Sequence, residues 1–280
     1  MQDLDRKDLN EIFDERKRDA ECHNRREFLF QLAGLTAAGV IVNVLGSGRL
    51  LASPGEEVTN LKPKAYDWDD HLYVYLIDTT KCIGCGMCVR ACKNENDVPD
   101  GFYRTWVEQY KIAIDETGEA KVEVSSPHGG LYGFEATQSP LDVTKGFFVP
   151  KMCNHCENTP CTQVCPVGAS YRTHDGVVLV DGERCIGCGY CVQACPYGSR
   201  FIDPRTHTAN KCTWCYHRIT RGLKPACVQA CPTGTRMFGD LRKADDPVVI
   251  KLAKARVQIL QPELLTHPRC FYIGLDKEVR

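Results

Sequence analysis

The stretch of sequence that decides the fold reads Cys153-Asn-His-Cys156-x4-Cys161-x3-Cys165-Pro and then, after a short interval, Cys185-Ile-Gly-Cys188-Gly-Tyr-Cys191-x3-Cys195-Pro. The second run has the spacing C-x2-C-x2-C-x3-C-P, in which three closely spaced thiolates bind one iron-sulfur cubane and the fourth reaches a neighbouring cluster. Two such runs in succession predict a unit with two clusters. Because such clusters exchange electrons, the stretch indicates electron transfer.

The composition of the whole chain is compatible with this chemistry. The chain has 280 residues and a formal net charge of -1, so it can bury a sizeable core and offers no excess of positive charge to nucleic acid. Its 18 cysteines are many for this length, yet they fall short of the density of small disulfide-linked scaffolds. The spacing of the cysteines therefore decides their meaning.

Four groups of four account for all the cysteines except Cys22 and Cys270. The two groups that flank the central pair are Cys82-x2-Cys85-x2-Cys88-x3-Cys92 and Cys212-x2-Cys215-x11-Cys227-x3-Cys231-Pro. Disulfides would require each run to be divided among distant partners, because thiols this close in sequence cannot all pair locally. Zinc needs only four thiolates in total and gives no reason for a third cysteine in tight register. The spacing favours iron-sulfur clusters over both alternatives.

The first and third groups belong to an internal repeat. A predicted strand, 71–78 in one copy and 177–181 in the other, leads into Lys-Cys-Ile-Gly-Cys-Gly or Arg-Cys-Ile-Gly-Cys-Gly. Glycine accepts the positive φ that such a loop needs, so the backbone can wrap around a cubane and point its N–H groups at the sulfurs. Those hydrogen bonds, with net charge and solvent exposure, set the reduction potential of a cluster.

The first 52 residues are expected to direct export. A charged segment ends in Asn-Arg25-Arg26-Glu-Phe-Leu and continues into a moderately apolar, Gly- and Ala-rich stretch over 30–45. This pattern resembles a twin-arginine export signal, a route that accepts folded proteins and so suits a chain whose clusters are built in the cytoplasm. No good A-x-A cleavage site follows, and the apolar stretch is near the lower length limit for a membrane span. A cleaved signal and a retained anchor both stay open.

The segment between the first and second groups is predicted to be a β-rich insertion. A hairpin is expected over 105–114 and 120–124, around Thr117-Gly118, and an exposed loop is expected over 127–134, with His128 as a surface residue. This insertion is either a docking surface or a lid that shields a cluster.

The chain is predicted to end in a helix and a strand. Asp246 before Pro247 is a suitable N-cap, and apolar residues recur at helical spacing as far as Ile259. Cys270 begins the predicted closing strand and is expected to be a buried core thiol. His155, between two cysteines of the second group, is expected to pack beside the ligands, because the cysteines already complete the ligand count.

Several features together resemble one family of proteins. These are the four cysteine groups, the x11 gap in the last group, the three Cys-Pro endings and the twin-arginine leader. They are similar to the four-cluster ferredoxin-like electron-transfer subunits of respiratory membrane complexes, such as dimethyl sulfoxide, tetrathionate and polysulfide reductases. HybA and DsrO are further subunits of this kind. The resemblance covers about residues 70–240 and is greatest to the DsrO or tetrathionate-reductase type.

The resemblance implies an α+β, loop-rich fold of two ferredoxin-like modules related by a pseudo-twofold axis, each with two 4Fe-4S clusters. The expected organisation in chain order is a signal or possible anchor over 1–52, a linker over 53–70, an outer module from 71–110 with 200–240, a β insertion over 111–150, an inner module over 151–199, and a C-terminal helix and strand over 241–280.

The resemblance also implies crossed ligation, in which the fourth cysteine of each group binds the partner cluster of its module. Some relatives carry Trp in place of one cysteine of the third group and hold a three-iron cluster, but Cys188 is present here and Trp214 replaces no cysteine. Four 4Fe-4S clusters are therefore expected. The implied ligands are Cys82, Cys85, Cys88 and Cys231 for cluster 1; Cys153, Cys156, Cys161 and Cys195 for cluster 2; Cys165, Cys185, Cys188 and Cys191 for cluster 3; and Cys92, Cys212, Cys215 and Cys227 for cluster 4.

The function implied is that of a non-catalytic electron-transfer subunit of an anaerobic respiratory complex. Its expected partners are an integral membrane quinone-interacting subunit of the NrfD type and a further redox subunit, such as a cytochrome, a molybdopterin protein or another iron-sulfur protein. With Arg25 and Arg26 in its export signal, the chain is expected at the extracytoplasmic, periplasmic face of the cytoplasmic membrane. The alternative is a free-standing iron-sulfur oxidoreductase or redox sensor that uses Cys22 or Cys270. The lack of a Walker or G-x-G-x-x-G motif disfavours that alternative.

Overall fold

The structure, a computed structural model, describes residues 66–114, 119–135 and 142–279. Within this part of the chain, no helix combines the length and the apolar character needed to cross a membrane. All of these residues fall in one structural unit, residues 62–280. Four expected features lie outside the described residues: the export signal with Arg25 and Arg26, Cys22, most of the linker over 53–70, and the turn at Thr117-Gly118.

The described residues contain short helices and strands joined by tight turns. The helices are α1 (Met87–Asn96), α2 (Pro160–Gln163), α3 (Tyr190–Gln193), α4 (Tyr216–Ile219), α5 (Ala226–Gln229) and α6 (Pro247–Lys254). The strands are β1 (Tyr73–Asp78), β2 (Thr105–Ile114), β3 (Ala120–Ser125), β4 (Lys145–Met152), β5 (Ser170–Arg172), β6 (Val178–Val180), β7 (Arg200–Ile202), β8 (Ala209–Lys211), β9 (Arg236–Asp240), β10 (Val257–Gln258) and β11 (Cys270–Ile273).

Strand β1 lies inside a four-stranded sheet with the order β10-β11-β1-β9. All six of its residues are buried, as expected for an apolar strand that is covered on both faces. Tyr75 and Ile77 belong to the main core, whereas Val74 and Leu76 pack with Val248 of α6 on the other face. The predicted strands before the first cysteine group and near the C-terminus are confirmed, and they pair with each other in parallel.

The insertion forms a three-stranded antiparallel sheet with the order β3-β2-β4. The predicted hairpin of β2 and β3 is confirmed. Strand β4 was not predicted, and it pairs along the other edge of β2 from Met152 to Lys145. Since β2 begins at Thr105, the expected division between the outer module and the insertion at 110/111 falls inside a strand.

Two small hairpins and four one-turn helices lie between the remaining cysteines, of which Cys161, Cys191 and Cys227 are within the helices. Strand β5 pairs with β6, and β7 pairs with β8. Helices of four residues are not stable by themselves, so their contacts must hold them. Helix α1 packs against α5, and α2 packs against α3. The mixture of helices and separate, mainly antiparallel sheets is that of the predicted α+β class.

Helix α6 begins where it was predicted but ends earlier. Asp246 is the N-cap, and its carboxylate accepts a hydrogen bond from the backbone N–H of Val248 at 2.7 Å. The helix ends before Ala255, whose backbone is extended at φ -93° and ψ 149°. The prediction that helical spacing continues to Ile259 is wrong, because the segment after Ala255 forms β10 and pairs with β11.

Replacing Asp246 with alanine is expected to weaken the start of α6. The Asp246 carboxylate also accepts a hydrogen bond from Asp240 N at 3.0 Å, so it joins the helix to β9. Loss of such a cap costs about 0.5–2 kcal/mol. Hydrogen exchange should show faster local opening of the first turn of α6 in the alanine variant, whereas Asp246→Asn should stay close to the original protein. Equal exchange in the alanine variant and the original protein would refute this role of the cap.

Candidate metal centres

The repeated Cys-Ile-Gly-Cys-Gly sequences form loops of the same backbone shape. The first loop connects β1 to α1, and the second precedes α3. Gly84 and Gly86 have φ of 69° and 70°, and the equivalent Gly187 and Gly189 have φ of 69° and 78°. The prediction that these glycines adopt positive φ is confirmed.

The two loops have different surroundings. A Cβ on Gly86 would lie 2.2 Å from the carbonyl oxygen of Gly130, whereas a Cβ on Gly189 would meet no protein atom within 4 Å. The loop over 127–134 therefore covers the first cysteine loop, and Arg90 holds it by a hydrogen bond to a backbone oxygen. The prediction of an exposed loop holds for Pro127, His128 and Tyr132, whereas Gly129 and Gly130 are buried, and a Cβ on them would meet Tyr103 and Val107. Its position agrees with the lid alternative.

Gly187 and Gly189 offer a matched pair of substitutions. A Cβ on Gly187 would lie 2.3 Å from the carbonyl oxygen of His207, so alanine there requires the backbone to move. Alanine at Gly189 carries only the strain of positive φ, about 1–2 kcal/mol. We expect Gly187→Ala to release the iron bound at this loop much faster when a chelator is added, while Gly189→Ala loses iron at close to the original rate. Equal rates in the two variants would show that the contact with His207 is unimportant.

Every cysteine in the described residues is a free thiol. Among these residues, no three His, Cys, Asp or Glu side chains come close enough together to hold a single metal ion. A cubane makes a different demand, because each thiolate binds its own iron and the four sulfurs stand further apart. A cubane site is therefore identified by four thiols that surround one cavity.

Cys231 lies beside the first cysteine group. Cys82, Cys85, Cys88 and Cys231 line one small cavity. Burial raises the pKa of Cys82 to about 11, and the nearby Cys88 and Cys231 thiols add to the rise. Burial would also raise the pKa of Cys231, but hydrogen bonds from the turn that follows it lower that pKa instead. The turn after Cys231 thus favours the thiolate, the form that binds iron.

Cys92 lies beside the cysteines of the last group. Burial raises the pKa of Cys92 well above its ordinary value, and Cys212, Cys227 and Cys215 add to the rise. The side-chain amide nitrogen of Asn96 is 3.7 Å from the sulfur of Cys92 and 3.6 Å from the sulfur of Cys215. One amide therefore contacts thiols from the first and the last groups.

Cys195 lies beside the second group. Burial raises the pKa of Cys156 to about 12 and that of Cys161 to about 11, and in both cases Cys153 and Cys195 contribute to the rise. Cys153 is also close enough to Cys212 for the two thiols to interact, which joins the second group to the last.

The fourth expected set is related only by the packing of the helices next to its cysteines. Helix α2, which precedes Cys165, packs against α3, which contains Cys191. Burial opposes ionisation of Cys165, but backbone N–H groups of residues 167–170 outweigh it and lower its pKa. Cys188 is exposed, so this set lies at the surface.

His155 and Trp214 form a stacked pair with ring centroids 4.0 Å apart. His155 lies between two cysteines of the second group, and Trp214 lies between two cysteines of the last group. The stacked rings therefore connect these two groups. His155 Nδ1 accepts a hydrogen bond from Val178 N at 2.9 Å, and burial lowers the pKa of His155 well below its ordinary value. The predictions that His155 packs beside the ligands and that His128 is exposed are confirmed.

Cys270 is fully buried, as predicted. Burial raises the pKa of its thiol to about 12, so it is protonated at neutral pH. A buried neutral thiol does not suit the chemical role that the alternative hypothesis requires of it.

Three buried basic residues near the cysteines were missed by sequence reasoning: Arg200, Lys211 and Arg236. A sequence signal for two of them exists, because Cys-Pro-x-Gly-x-Arg occurs at 195–200 and again at 231–236. The equivalent position after Cys165 is Ser170, whose hydroxyl accepts a hydrogen bond from Arg200.

Comparison with known proteins identifies 4Fe-4S domains over the cysteine groups. Residues 144–241 match a family model described as a 4Fe-4S dicluster domain, and residues 81–169 match a second model with the same description. The sequence is 40% identical to a tetrathionate reductase subunit of Salmonella typhimurium, over 90% of this chain and 89% of that protein. It is 44% identical to a tetrathionate reductase subunit of Archaeoglobus fulgidus, over 72% of this chain and 82% of the relative. It is 38% identical to a component of the polysulfide reductase of Wolinella succinogenes, over 72% of this chain and 93% of the relative.

Two dicluster domains confirm the expected cofactor content of four 4Fe-4S clusters. The free thiols fit this content, since four groups of four cysteines supply one thiolate for each iron.

Proposed function

This protein belongs to the family of iron-sulfur subunits of tetrathionate, thiosulfate, polysulfide and dimethyl sulfoxide reductases, and we propose that it relays single electrons between a quinone-interacting membrane subunit and a second redox subunit of such a complex. The observation that carries this proposal is the use of the cysteines. Four 4Fe-4S clusters require every grouped cysteine as a ligand, so no iron stays open to a substrate. Catalysis then takes place in another subunit.

We assign the ligands in crossed sets within two modules related by a pseudo-twofold axis. The contacts of Cys231 with the first group, of Cys92 with the last and of Cys195 with the second support this assignment. The proposed sets are Cys82, Cys85, Cys88 and Cys231 for cluster 1; Cys153, Cys156, Cys161 and Cys195 for cluster 2; Cys165, Cys185, Cys188 and Cys191 for cluster 3; and Cys92, Cys212, Cys215 and Cys227 for cluster 4.

The same contacts support a linear order of clusters 1, 4, 2 and 3. Helix α1 packs against α5, which joins clusters 1 and 4. Cys212 interacts with Cys153, which joins clusters 4 and 2. Clusters 1 and 3 are then the ends of the line, where electrons enter and leave. The cysteine loops of clusters 1 and 3 each expose an isoleucine at the same position of the repeat: Ile83 is 61% exposed and Ile186 is 65% exposed. These two loops are the proposed contact surfaces for redox partners.

We take the assembly to be a tetrathionate-type reductase at the periplasmic face of the cytoplasmic membrane. The match to the Salmonella tetrathionate reductase subunit over about nine-tenths of both proteins supports the type of complex. Arg25 and Arg26 support export in the folded state. Replacing both arginines with lysine is the matched test of export, and the variant should stay in the cytoplasm with its clusters intact.

Affinity purification from native membranes tests the relay. The tagged protein should carry with it a polytopic membrane subunit and a further redox subunit, and electrons from a reduced quinol should reduce its clusters. Recovery of a protein that is alone, yet fully loaded with clusters, would instead support a free-standing oxidoreductase or sensor.

A further inference from the structure

Three basic side chains are buried among the cysteines and have no carboxylate partner within the described residues. Lys211, Arg236 and Arg200 are 1%, 2% and 4% exposed. In the described part of the chain, their hydrogen bonds go to neutral groups, such as the Thr105 hydroxyl for Arg236 and the Ser170 hydroxyl for Arg200, each at 2.7 Å. A buried charge is costly unless it is paired. The thiolates around them are the available negative partners.

Arg236 lies between the thiols assigned to clusters 1 and 4. Burial raises the pKa of Cys88, from the first set, and that of Cys227, from the other, and the guanidinium of Arg236 opposes both rises. Its Nε has no hydrogen-bond partner among the described residues. The side chain therefore faces two sets of ligands at once.

Arg200 occupies the corresponding place between clusters 2 and 3. It interacts with Cys161 and Cys153 of one set and with Cys191 of the other. Its Nε and Nη2 are buried and lack a partner among the described residues. Arg200 and Arg236 occupy the same position in the repeated sequence Cys-Pro-x-Gly-x-Arg. Each of the two modules therefore has one buried arginine at the equivalent place.

Lys211 stands at the remaining junction, between clusters 4 and 2. Its Nζ donates a hydrogen bond to the carbonyl oxygen of Cys212 at 2.8 Å, and it interacts with Cys153. Each junction of the proposed line thus contains one buried basic residue. In contrast, Lys81 and Arg184, which directly precede the first and third cysteine groups, are 51% and 64% exposed and pair with Asp78 and Asp181.

We propose that Arg236 and Arg200 each raise the reduction potentials of a pair of neighbouring clusters, 1 with 4 and 2 with 3, and that Lys211 does so at the central junction. This inference rests on the proposed relay. In each transfer, one cluster loses an electron and its neighbour gains it, with no bond made or broken and no proton moved. A fixed positive charge in a medium of low dielectric constant stabilises the extra electron. Because one guanidinium serves both clusters of a pair, their potentials rise together and the transfer between them stays nearly level.

The test uses the full-length protein, loaded with its clusters, in redox titrations followed by electron paramagnetic resonance. Arg236→Gln should make reduction harder for two of the four clusters, by at least tenfold in the one-electron equilibrium, or about 59 mV. Arg200→Gln should shift the other two clusters and leave the first two unchanged. The matched exposed variants, Lys81→Gln and Arg184→Gln, should shift the same signals much less, because solvent screens their charges.

Variants that retain the charge separate electrostatics from packing. Arg236→Lys and Arg200→Lys should keep all four potentials near their original values. Large shifts in the lysine variants, shifts spread over all four clusters, or no shift in the glutamine variants would each overturn the proposal. If a glutamine variant fails to bind its full iron content, the potentials of the lysine variant at that position decide whether the charge or the packing of the arginine is needed. A protein with the full complement of clusters but unshifted potentials would refute this inference alone, whereas a protein with far fewer clusters would refute the relay.

Discussion

Replacing Cys231 with alanine is expected to remove the cluster that we assign to Cys82, Cys85 and Cys88, and to leave intact the cluster of its own sequence group. The reason is that the Cys231 thiol shares a cavity with the first group. Iron content should fall by about a quarter, or less if a three-iron cluster stays behind. The spectrum lost in the Cys231→Ala variant should match the spectrum lost in Cys85→Ala.

Two further variants complete this test. Cys215→Ala and Cys92→Ala should lose one common spectrum, different from the first, because the amide of Asn96 contacts both of these thiols. Cys270→Ala is the control, since Cys270 is a buried thiol outside every group, and it should retain four clusters. If Cys231→Ala instead loses the same spectrum as Cys215→Ala, the crossed assignment is incorrect.

Removing all the clusters is expected to abolish the tertiary structure. Cysteines such as Cys88, Cys153, Cys212 and Cys227 are members of the main core, and the one-turn helices that carry several ligands cannot persist alone. Arg200 and the other two buried basic residues would lose their negative partners, at a cost of several kcal/mol for each charge. Anaerobic treatment with a chelator and a denaturant, followed by removal of both, should give a protein without near-ultraviolet circular dichroism and with rapid proteolysis inside the cysteine-rich region.

Rebuilding the clusters provides the control for this prediction. Addition of iron and sulfide under reducing conditions should restore the dichroism and the resistance to protease, whereas a mock treatment that leaves the clusters in place should change neither. A cluster-free protein that keeps native resistance to protease would show that the protein core, without its clusters, is sufficient for the fold.

The cysteine sets and their loops could be predicted from the sequence because they depend on local spacing. The run Cys82-Ile-Gly-Cys85-Gly and its repeat specify both the ligands and the positive φ of the glycines. Strand β1 and the hairpin of β2 and β3 were also predictable, since their β-branched and aromatic residues are typical of strands. Strand β4 was not predicted because it contains Pro150, and proline argues against a central strand. The proline is tolerated because β4 lies at the edge of its sheet.

The features that could not be predicted depend on contacts distant in sequence. Arginine is usually exposed, so the residue type alone does not indicate that Arg236 and Arg200 are buried, and only their shared position in the repeat Cys-Pro-x-Gly-x-Arg sets them apart. The glycine-rich loop over 127–134 has the composition of an exposed loop, but its contact with Gly86 buries part of it. Helical spacing continued past Ala255, yet the pairing of β10 with β11 prevailed. In each case tertiary packing overrides the local preference.

The most direct test of the central claim is the iron and acid-labile sulfide content of the anaerobically purified protein. A relay of four 4Fe-4S clusters requires about sixteen iron and sixteen sulfide per chain, four of each in every cluster. A content near half of this value, or a protein that contains zinc and no sulfide, would contradict the account.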